Sequence, residues 1–279
     1  MAQYRKVENV RQWRLIYDQP TLGALNMARD EAILAAVSSG VVPPTLRLYA
    51  WNPPCLSLGY GQRAREADLD RLAERGWQIV RRPTGGRAIL HTDELTYSLA
   101  LPIDDPLAQA NLVESYRQIS TALLIALGNL GAQAQANRAE GNMTQVTNPI
   151  CFETPSHYEI TVEGRKLVGS AQVRRKHGIL QHGTLPLSGD ISRICNALVY
   201  SDEAARTAAK ADVHARALTL EEALGVALDW ETVANSVVES FAQGFDLTLI
   251  PAALTPTELD HAQRLTAEVY ANPDWTFRR

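Results

Sequence analysis

A cysteine in a polar loop and a lysine on the far arm of a hairpin are the residue types from which this sequence could build a nucleophilic centre. Cys151 lies in Asn148-Pro149-Ile150-Cys151-Phe152-Glu153-Thr154-Pro155-Ser156, where prolines and small polar residues favour a loop. The alternating run Tyr158-Glu159-Ile160-Thr161-Val162-Glu163 follows, turns at Gly164, and continues into Arg165-Lys166-Leu167-Val168-Gly169-Ser170-Ala171-Gln172. The thiolate is the reactive form of cysteine, and a free thiol with a pKa of ~8.5 needs a nearby positive charge to populate it at neutral pH. Lys166 can supply that charge. The plain alternatives are a small buried hydrophobe at 151, the commoner fate of a free cysteine, and a solvated strand lysine at 166.

A second group of residues reads as binding machinery. Arg82-Pro83-Thr84-Gly85-Gly86-Arg87 is a glycine loop flanked by arginines, whose backbone amides can approach an anion or a carbonyl closely. A hairpin turn is the alternative. Arg81, Arg82 and Arg87 are candidates to meet an acidic partner or its phosphate, against the reading of solvated strand arginines. His91 and His182 raise a Cys-His hydrolase, with one histidine as general base, against two satisfied structural histidines. Cys55 and Cys195 sit in apolar stretches and read as core, and His157 as incidental.

These residues need elements to carry them. Apolar spacing predicts a helix over 22–39, with Leu22, Leu25, Ile33, Ala36 and Val37 near one face, Asn26, Arg29, Asp30 and Glu31 facing elsewhere, and Gly40 as the stop. Short strands are expected over 46–51, 56–59 and 77–81, a short helix over 65–75, and one further strand over 88–101. A long helix runs from about Tyr116 to Gly131, and the polar stretch 133–148 reads as irregular. Three strands with turns at Glu163-Gly164 and Lys176-His177-Gly178 end at Leu185; the remainder is mostly helical, with capping-box spacing at Thr219/Glu222 and Thr255/Glu258. Strands and helices in this order, with clustered hairpins, predict an α/β or α+β fold: a mixed, largely antiparallel sheet layered by helices. Neither a dinucleotide fingerprint nor a Walker A pattern is present.

With 279 residues and 46% hydrophobic content the chain can bury a sizeable core, expected as one domain over 1–250 with a helical tail over 251–279. A formal net charge of -4 argues against nucleic acid as partner. Three scattered cysteines suit neither a disulfide framework nor a zinc ribbon and fit a reducing compartment. No apolar run approaches the ~20 residues of a membrane span, so a cytoplasmic protein without a membrane partner is expected.

Taken in order, NMARDE at 26–31, RRPTGGRAILH at 81–91, ELTYS at 94–98, CFE at 151–153 with YEI at 158–160, GRKLVGSAQ at 164–172 and QHGTL at 181–185 resemble the lipoate–protein ligase and octanoyltransferase superfamily. That superfamily shares a catalytic fold with biotin protein ligases, and the likeness is nearest to its LipM-type octanoyltransferases. The tail YANPDW at 270–275 is similar too. One departure is Thr92 ahead of Asp93, where the family often has an acid directly after the histidine.

The resemblance implies that octanoate arrives as a thioester on acyl carrier protein and leaves as an amide on a lysine of a lipoyl-accepting protein, such as the glycine cleavage H protein or a lipoyl domain. Cys151 would carry the acyl group and Lys166 would favour the thiolate and meet the oxyanion. Substrate binding would fall to Arg82, Thr84, Gly85, Gly86, Arg87, His91, Gly169, Ser170, Ala171, His182 and Gly183, with the histidines positioning rather than acting as base. No cofactor or metal is implied, and ATP is unnecessary. Three alternatives stand beside this reading: an ATP-dependent lipoate ligase, which needs no thiol; an amidotransferase between lipoyl-accepting proteins, which differs only in its donor; and a non-catalytic module that binds acylated carriers.

Overall fold

The computed structural model describes residues 11–138 and 158–279. In chain order the elements are β1 (Arg11–Tyr17), α1 (Gly23–Ser38), β2 (Thr45–Tyr49), β3 (Cys55–Leu58), α2 (Leu69–Glu74), β4 (Gln78–Arg81), β5 (Ile89–His91) and β6 (Glu94–Pro102). Then come α3 (Pro106–Gln109), α4 (Leu112–Asn129), β7 (Gln135–Arg138), β8 (Tyr158–Val162), β9 (Arg165–Arg174) and β10 (Gly178–Pro186). The chain finishes with α5 (Glu203–Arg216), α6 (Leu220–Leu224), α7 (Trp230–Phe245), β11 (Leu247–Pro251), α8 (Pro256–Leu265) and α9 (Pro273–Thr276).

Eight strands form the larger sheet, in the order β11-β1-β2-β6-β10-β9-β8-β7. The β11-β1-β2 strip is parallel and the rest antiparallel, the mixed and largely antiparallel sheet expected. Strand β6 lies inside it and is covered on both faces. Leu95, Tyr97, Leu99 and Leu101 pack towards α4 and α7, in one core with Ile119, Leu123, Val233 and Phe241. The alternate residues face α1: Ala100 joins Leu180, Ile33, Leu34 and Val37, while Ser98 bonds the Asp30 carboxylate at 2.8 Å. The smaller sheet, β4-β3-β5, closes its own core with Leu56, Leu58 and Leu90 against Ile194 and Val213.

Three expectations are corrected. The run over 88–101 is two strands in two sheets, because the chain turns at Thr92-Asp93, where the Glu94 amide bonds back to the Thr92 carbonyl at 3.1 Å. Within the polar stretch 133–148, β7 pairs with β8 and forms the sheet edge. The last third contains β11, a parallel strand whose residues alternate too weakly in hydrophobicity to announce it. Asn26 and Asp30, read only as off the apolar face, are fully buried, because Arg47 on β2 supplies partners: its guanidinium donates to Asp30 at 2.7 Å and to the Asn26 side chain at 2.7 Å.

Past β11 the chain folds back over α1. Thr255 and Glu258 form the capping box of α8, and Glu258, buried, also accepts from Arg14 of β1 at 2.8 Å. The Tyr270 hydroxyl reaches Glu31, and the carbonyl of Thr276 accepts two bonds from Arg81 at 3.0 and 2.8 Å.

Candidate active site

A narrow cavity opens between the two sheets on the α1 side. Met27, Tyr49, Trp51 and Ile89 give it apolar walls; Ser57, Arg82, His91, Thr96, His182 and Thr184 place polar atoms on them; Gly169, Ser170, Ala171 and Gly183 complete the lining. The fold therefore gathers Arg82, His91, Gly169, Ser170, Ala171, His182 and Gly183 from four separate segments. Thr84 lies directly behind, its hydroxyl 2.6 Å from His182 Nε2. Gly85 and Gly86 are exposed, and Arg87 is half-buried and 3.8 Å from Glu66. Cys151 and His157 lie outside the described residues.

Close packing explains one of the glycines. A Cβ on Gly183 would stand 2.5 Å from the Tyr97 ring, 2.6 Å from Ser170 Oγ and 2.9 Å from the Gly169 carbonyl, so no side chain fits where β10 passes β9. Lys166 is 2% exposed and donates to Glu159 Oε1 at 2.8 Å across the β8–β9 hairpin. Its Cε would be 3.6 Å from a Cβ at Gly169, so the lysine stem runs beside a residue that lines the cavity.

On the β5 side the polar residues form one hydrogen-bond chain. Trp51 Nε1 donates to Thr96 Oγ1 at 2.8 Å, and Thr96 Oγ1 donates to Glu94 Oε1 at 2.5 Å. That oxygen also lies 2.6 Å from His91 Nδ1; His91 Nε2 lies 2.8 Å from Ser57 Oγ, which accepts from Arg82 at 3.2 Å. An indole and a guanidinium can only donate, so both ends of the chain are fixed. A neutral His91 then carries its proton on Nδ1, facing the Glu94 carboxylate, and accepts from Ser57 at Nε2. The Trp51 ring stacks on the imidazole at 3.8 Å, which holds its plane.

On the α1 side, His182 Nδ1 is 3.4 Å from Asp30 Oδ2, an oxygen that also accepts from Tyr49 at 2.9 Å. Burial works to raise the Asp30 pKa, but Arg47, His182 and Ser98 outweigh it and leave the carboxyl below its usual range. Burial lowers the His182 pKa, and the opposing pull of Asp30 does not restore it. A neutral His182 donates from Nδ1 to Asp30 and accepts at Nε2 from Thr84.

The arginines next to the glycine loop bond inward instead of facing solvent. Arg81 donates to the carbonyls of Gly59, Gln62 and Thr276; Arg82 donates to those of Ser57, Gly85 and Arg87, at 2.9, 2.8 and 2.7 Å. The Arg82 guanidinium shapes the glycine loop and also reaches the cavity wall, while Arg81 ties residues 59–62 to the C-terminal segment. Cys55 and Cys195 are fully buried, as expected, and burial pushes the Cys55 thiol far above its usual range. Residues that pattern reading did not single out complete the site: Met27, Tyr49, Trp51, Ser57, Ile89, Thr96 and Thr184 on the walls, with Arg47 and Glu94 behind them.

The lipoyl protein ligase A/B catalytic domain model matches residues 23–242. The chain belongs to this family. Among its relatives, the octanoyltransferase LipM of Kyrpidia tusciae is 40% identical over 272 residues, spanning 96% of this chain and 99% of that protein. The octanoyltransferase LipM of Moorella thermoacetica is 41% identical over 269 residues, spanning 96% and 98%. Among solved structures, a bipartite lipoate protein ligase from Thermoplasma acidophilum matches with a TM-score of 0.80 at 24% identity over 96% of both chains. A lipoate-protein ligase A bound with ATP matches with a TM-score of 0.78 at 23% identity, over 95% of this chain and 98% of that one. At such identity the structures establish the fold, which is the family's mixed α/β architecture, and the motif order pointed to the same family. No described helix is long and apolar enough to cross a membrane.

Proposed function

We propose that this chain is an octanoyltransferase of lipoate biosynthesis, moving octanoate from octanoyl-acyl carrier protein to a lysine of a lipoyl-accepting protein. The observation that carries the reading is its kinship, at about 40% identity over nearly the whole chain, to proteins named octanoyltransferase LipM. The cavity supports it. Its apolar walls suit a saturated chain, each buried methylene of which contributes about 0.8 kcal/mol. Glycine cleavage H protein and lipoyl domains are the acceptors this reading names, in the cytoplasm.

The chemistry runs through Cys151. Its thiolate attacks the thioester carbonyl of the donor; the tetrahedral oxyanion collapses, the donor thiolate leaves and takes up a proton, and octanoate is held as a new thioester of similar energy. The neutral amine of the acceptor lysine then attacks that thioester. An amide forms, the amine loses its proton, and the Cys151 thiolate returns. Aminolysis of a thioester is downhill, so no nucleotide is consumed. Splitting the transfer lets two bulky carriers visit in turn. The Lys166 ammonium beside the cavity lining favours the thiolate and donates to the developing oxyanion.

The test is incubation with octanoyl-acyl carrier protein in the absence of nucleotide, read by intact-protein mass. One octanoyl group is expected on Cys151, transferable to a lipoyl domain, and Cys151→Ala stops both steps. Full turnover by the alanine variant, or an ATP requirement, overturns the reading.

A further inference from the structure

Three segments meet beside the glycine loop and are fastened to one another. The Tyr60 amide donates to the Thr84 carbonyl at 2.8 Å, and the Ala64 amide to the Arg279 carbonyl at 2.9 Å. A Cβ on Gly59 would lie 1.9 Å from the Gly86 carbonyl, so the 59–66 loop rests directly on the glycine loop. The buried Arg81 guanidinium donates to the Gly59 carbonyl at 2.7 Å, to that of Gln62 at 2.6 Å and to that of Thr276 at 2.8 Å. One cation thus draws the 59–66 loop and the C-terminal segment together.

The outer surface of this rim is cationic on a chain whose formal net charge is -4. Arg63, Arg65, Arg278 and Arg279 are exposed and Arg87 is half-buried, while Glu66 and Asp274 are the acids of the same segments. Glu66 is already engaged, by Gln62 at 2.7 Å and Arg87 at 3.8 Å. Arg278 is held in place: its guanidinium lies 3.9 Å from the Tyr60 ring centre and 3.8 Å from that of Trp275, and donates to the Tyr60 carbonyl at 3.2 Å. Tyr60 and Phe277 remain 40% and 42% exposed. Burial, followed by the charges of Arg278, Arg279 and Arg82, lowers the Arg81 pKa, a sign of how tightly the cations crowd. Ordered arginine beside exposed aromatic rings is the composition of protein interfaces, and crowded like charges gain most from an anionic partner.

The geometry points to this rim as the docking surface for the acidic carrier protein that delivers the acyl thioester, anchored by Arg278 and Arg63. The inference rests on the proposed transferase reading and names the donor's footprint. The donor fits because the rim adjoins the glycine loop, whose Thr84 bonds His182 in the cavity wall; an acyl chain entering there trails an arm whose phosphodiester and acidic carrier suit guanidinium forks. The acceptor presents only a neutral amine to the same cavity and brings no phosphodiester for these guanidiniums to grip.

The decisive experiment follows acylation of Cys151 by intact mass with two donors: octanoyl-acyl carrier protein, and octanoyl-pantetheine, which has neither protein nor phosphate. Arg63→Glu together with Arg278→Glu is expected to lower kcat/KM for the carrier-bound donor at least tenfold and to leave octanoyl-pantetheine unchanged. Arg63→Glu alone, which disturbs no packing, gives a smaller loss of the same pattern. Equal losses with both donors, or no loss with either, overturn the inference. So does a loss confined to aminolysis of preformed acyl-enzyme by a lipoyl domain, which assigns the rim to the acceptor. If the unsubstituted protein accepts octanoate from neither donor, the transferase reading has failed. Calorimetric binding of the carrier protein itself to the two forms then reads the rim on its own, and equal affinity overturns it.

Discussion

Thr84 Oγ1 and His182 Nε2 meet at 2.6 Å, tying the glycine loop to strand β10 inside the large sheet. The contact joins residues 98 apart in sequence, and the opposite ring nitrogen points at Asp30 on α1. One imidazole thereby registers a loop, a sheet and a helix around the cavity, and it does so in its neutral form.

Protonating His182 therefore opposes folding. Burial leaves its folded pKa below the unfolded value of ~6.5, so the unfolded chain binds more protons at this site. The site's contribution to stability is complete above about pH 6.5 and is lost as pH falls from there through the folded pKa. Asp30, also lowered, acts only below its own unfolded value of about 4, a separate window. His182→Gln should flatten the decline of unfolding free energy as pH falls below about 6.5, measured by urea denaturation at a series of pH values. An unchanged slope rejects the assignment.

Gly183→Ala should damage both the fold and the site. Its Cβ would meet the Tyr97 ring at 2.5 Å and the Gly169 carbonyl at 2.9 Å, in an interior that cannot yield on both sides. Overpacking of this kind costs about 1–3 kcal/mol. A lowered Tm together with a raised KM for the acyl donor is expected; a variant indistinguishable in both removes the argument for a tight β9–β10 approach.

Glu258→Gln should weaken the attachment of the C-terminal segment. Arg14 is 5% exposed and Glu258 1% exposed, so removing the carboxylate leaves a buried guanidinium without its counter-charge. Breaking such a pair costs about 3–5 kcal/mol. Denaturant titration gives the loss, and Arg14→Leu combined with Glu258→Leu should cost less than the sum of the single changes.

Lys166→Met keeps the length and apolar stem of the side chain and removes its charge. In the proposed mechanism the cation favours the Cys151 thiolate, so its loss should slow Cys151 acylation by about 10²–10⁴. The rate of Cys151 alkylation against pH supplies a second readout, its midpoint expected to rise towards ~8.5 in the variant. An unmoved midpoint places Lys166 outside the electrostatic field of the thiol.

Where local pattern and tertiary partner agree, the sequence reading holds. The hairpins of β8, β9 and β10 fall at Glu163-Gly164 and before Gly178, and Glu163 and Gly164 take the left-handed backbone that such a turn needs. The long helix ends before Gly131, and Thr255 and Glu258 make the capping box their spacing predicts. The failures share a cause. Asn26 and Asp30 read only as lying off the apolar face, and their burial is made favourable by partners on other strands, Arg47 first among them. Arg81 reads as a carrier contact or a solvated strand residue, and its burial is favourable only because backbone carbonyls from the 59–66 loop and the C-terminal segment satisfy it. Most of the cavity lining named by motif came together, while Trp51 and Ser57 were invisible and Thr96 stood in a motif without a role. Their role is set by the hydrogen-bond chain through His91, which exists only once β3, β5 and β6 are assembled.

Strand β1 lies between β2 and β11 in the parallel strip, with Arg11 opposite Leu247 and Leu15 opposite Pro251. During synthesis the first strand emerges from the ribosome more than two hundred residues ahead of the neighbour that covers its outer side. Until that neighbour appears, one flank of β1 offers unpaired amides and carbonyls to any passing strand, and Arg14 waits for Glu258. Among the described strands, β1 is thus one of the last to gain both of its neighbours.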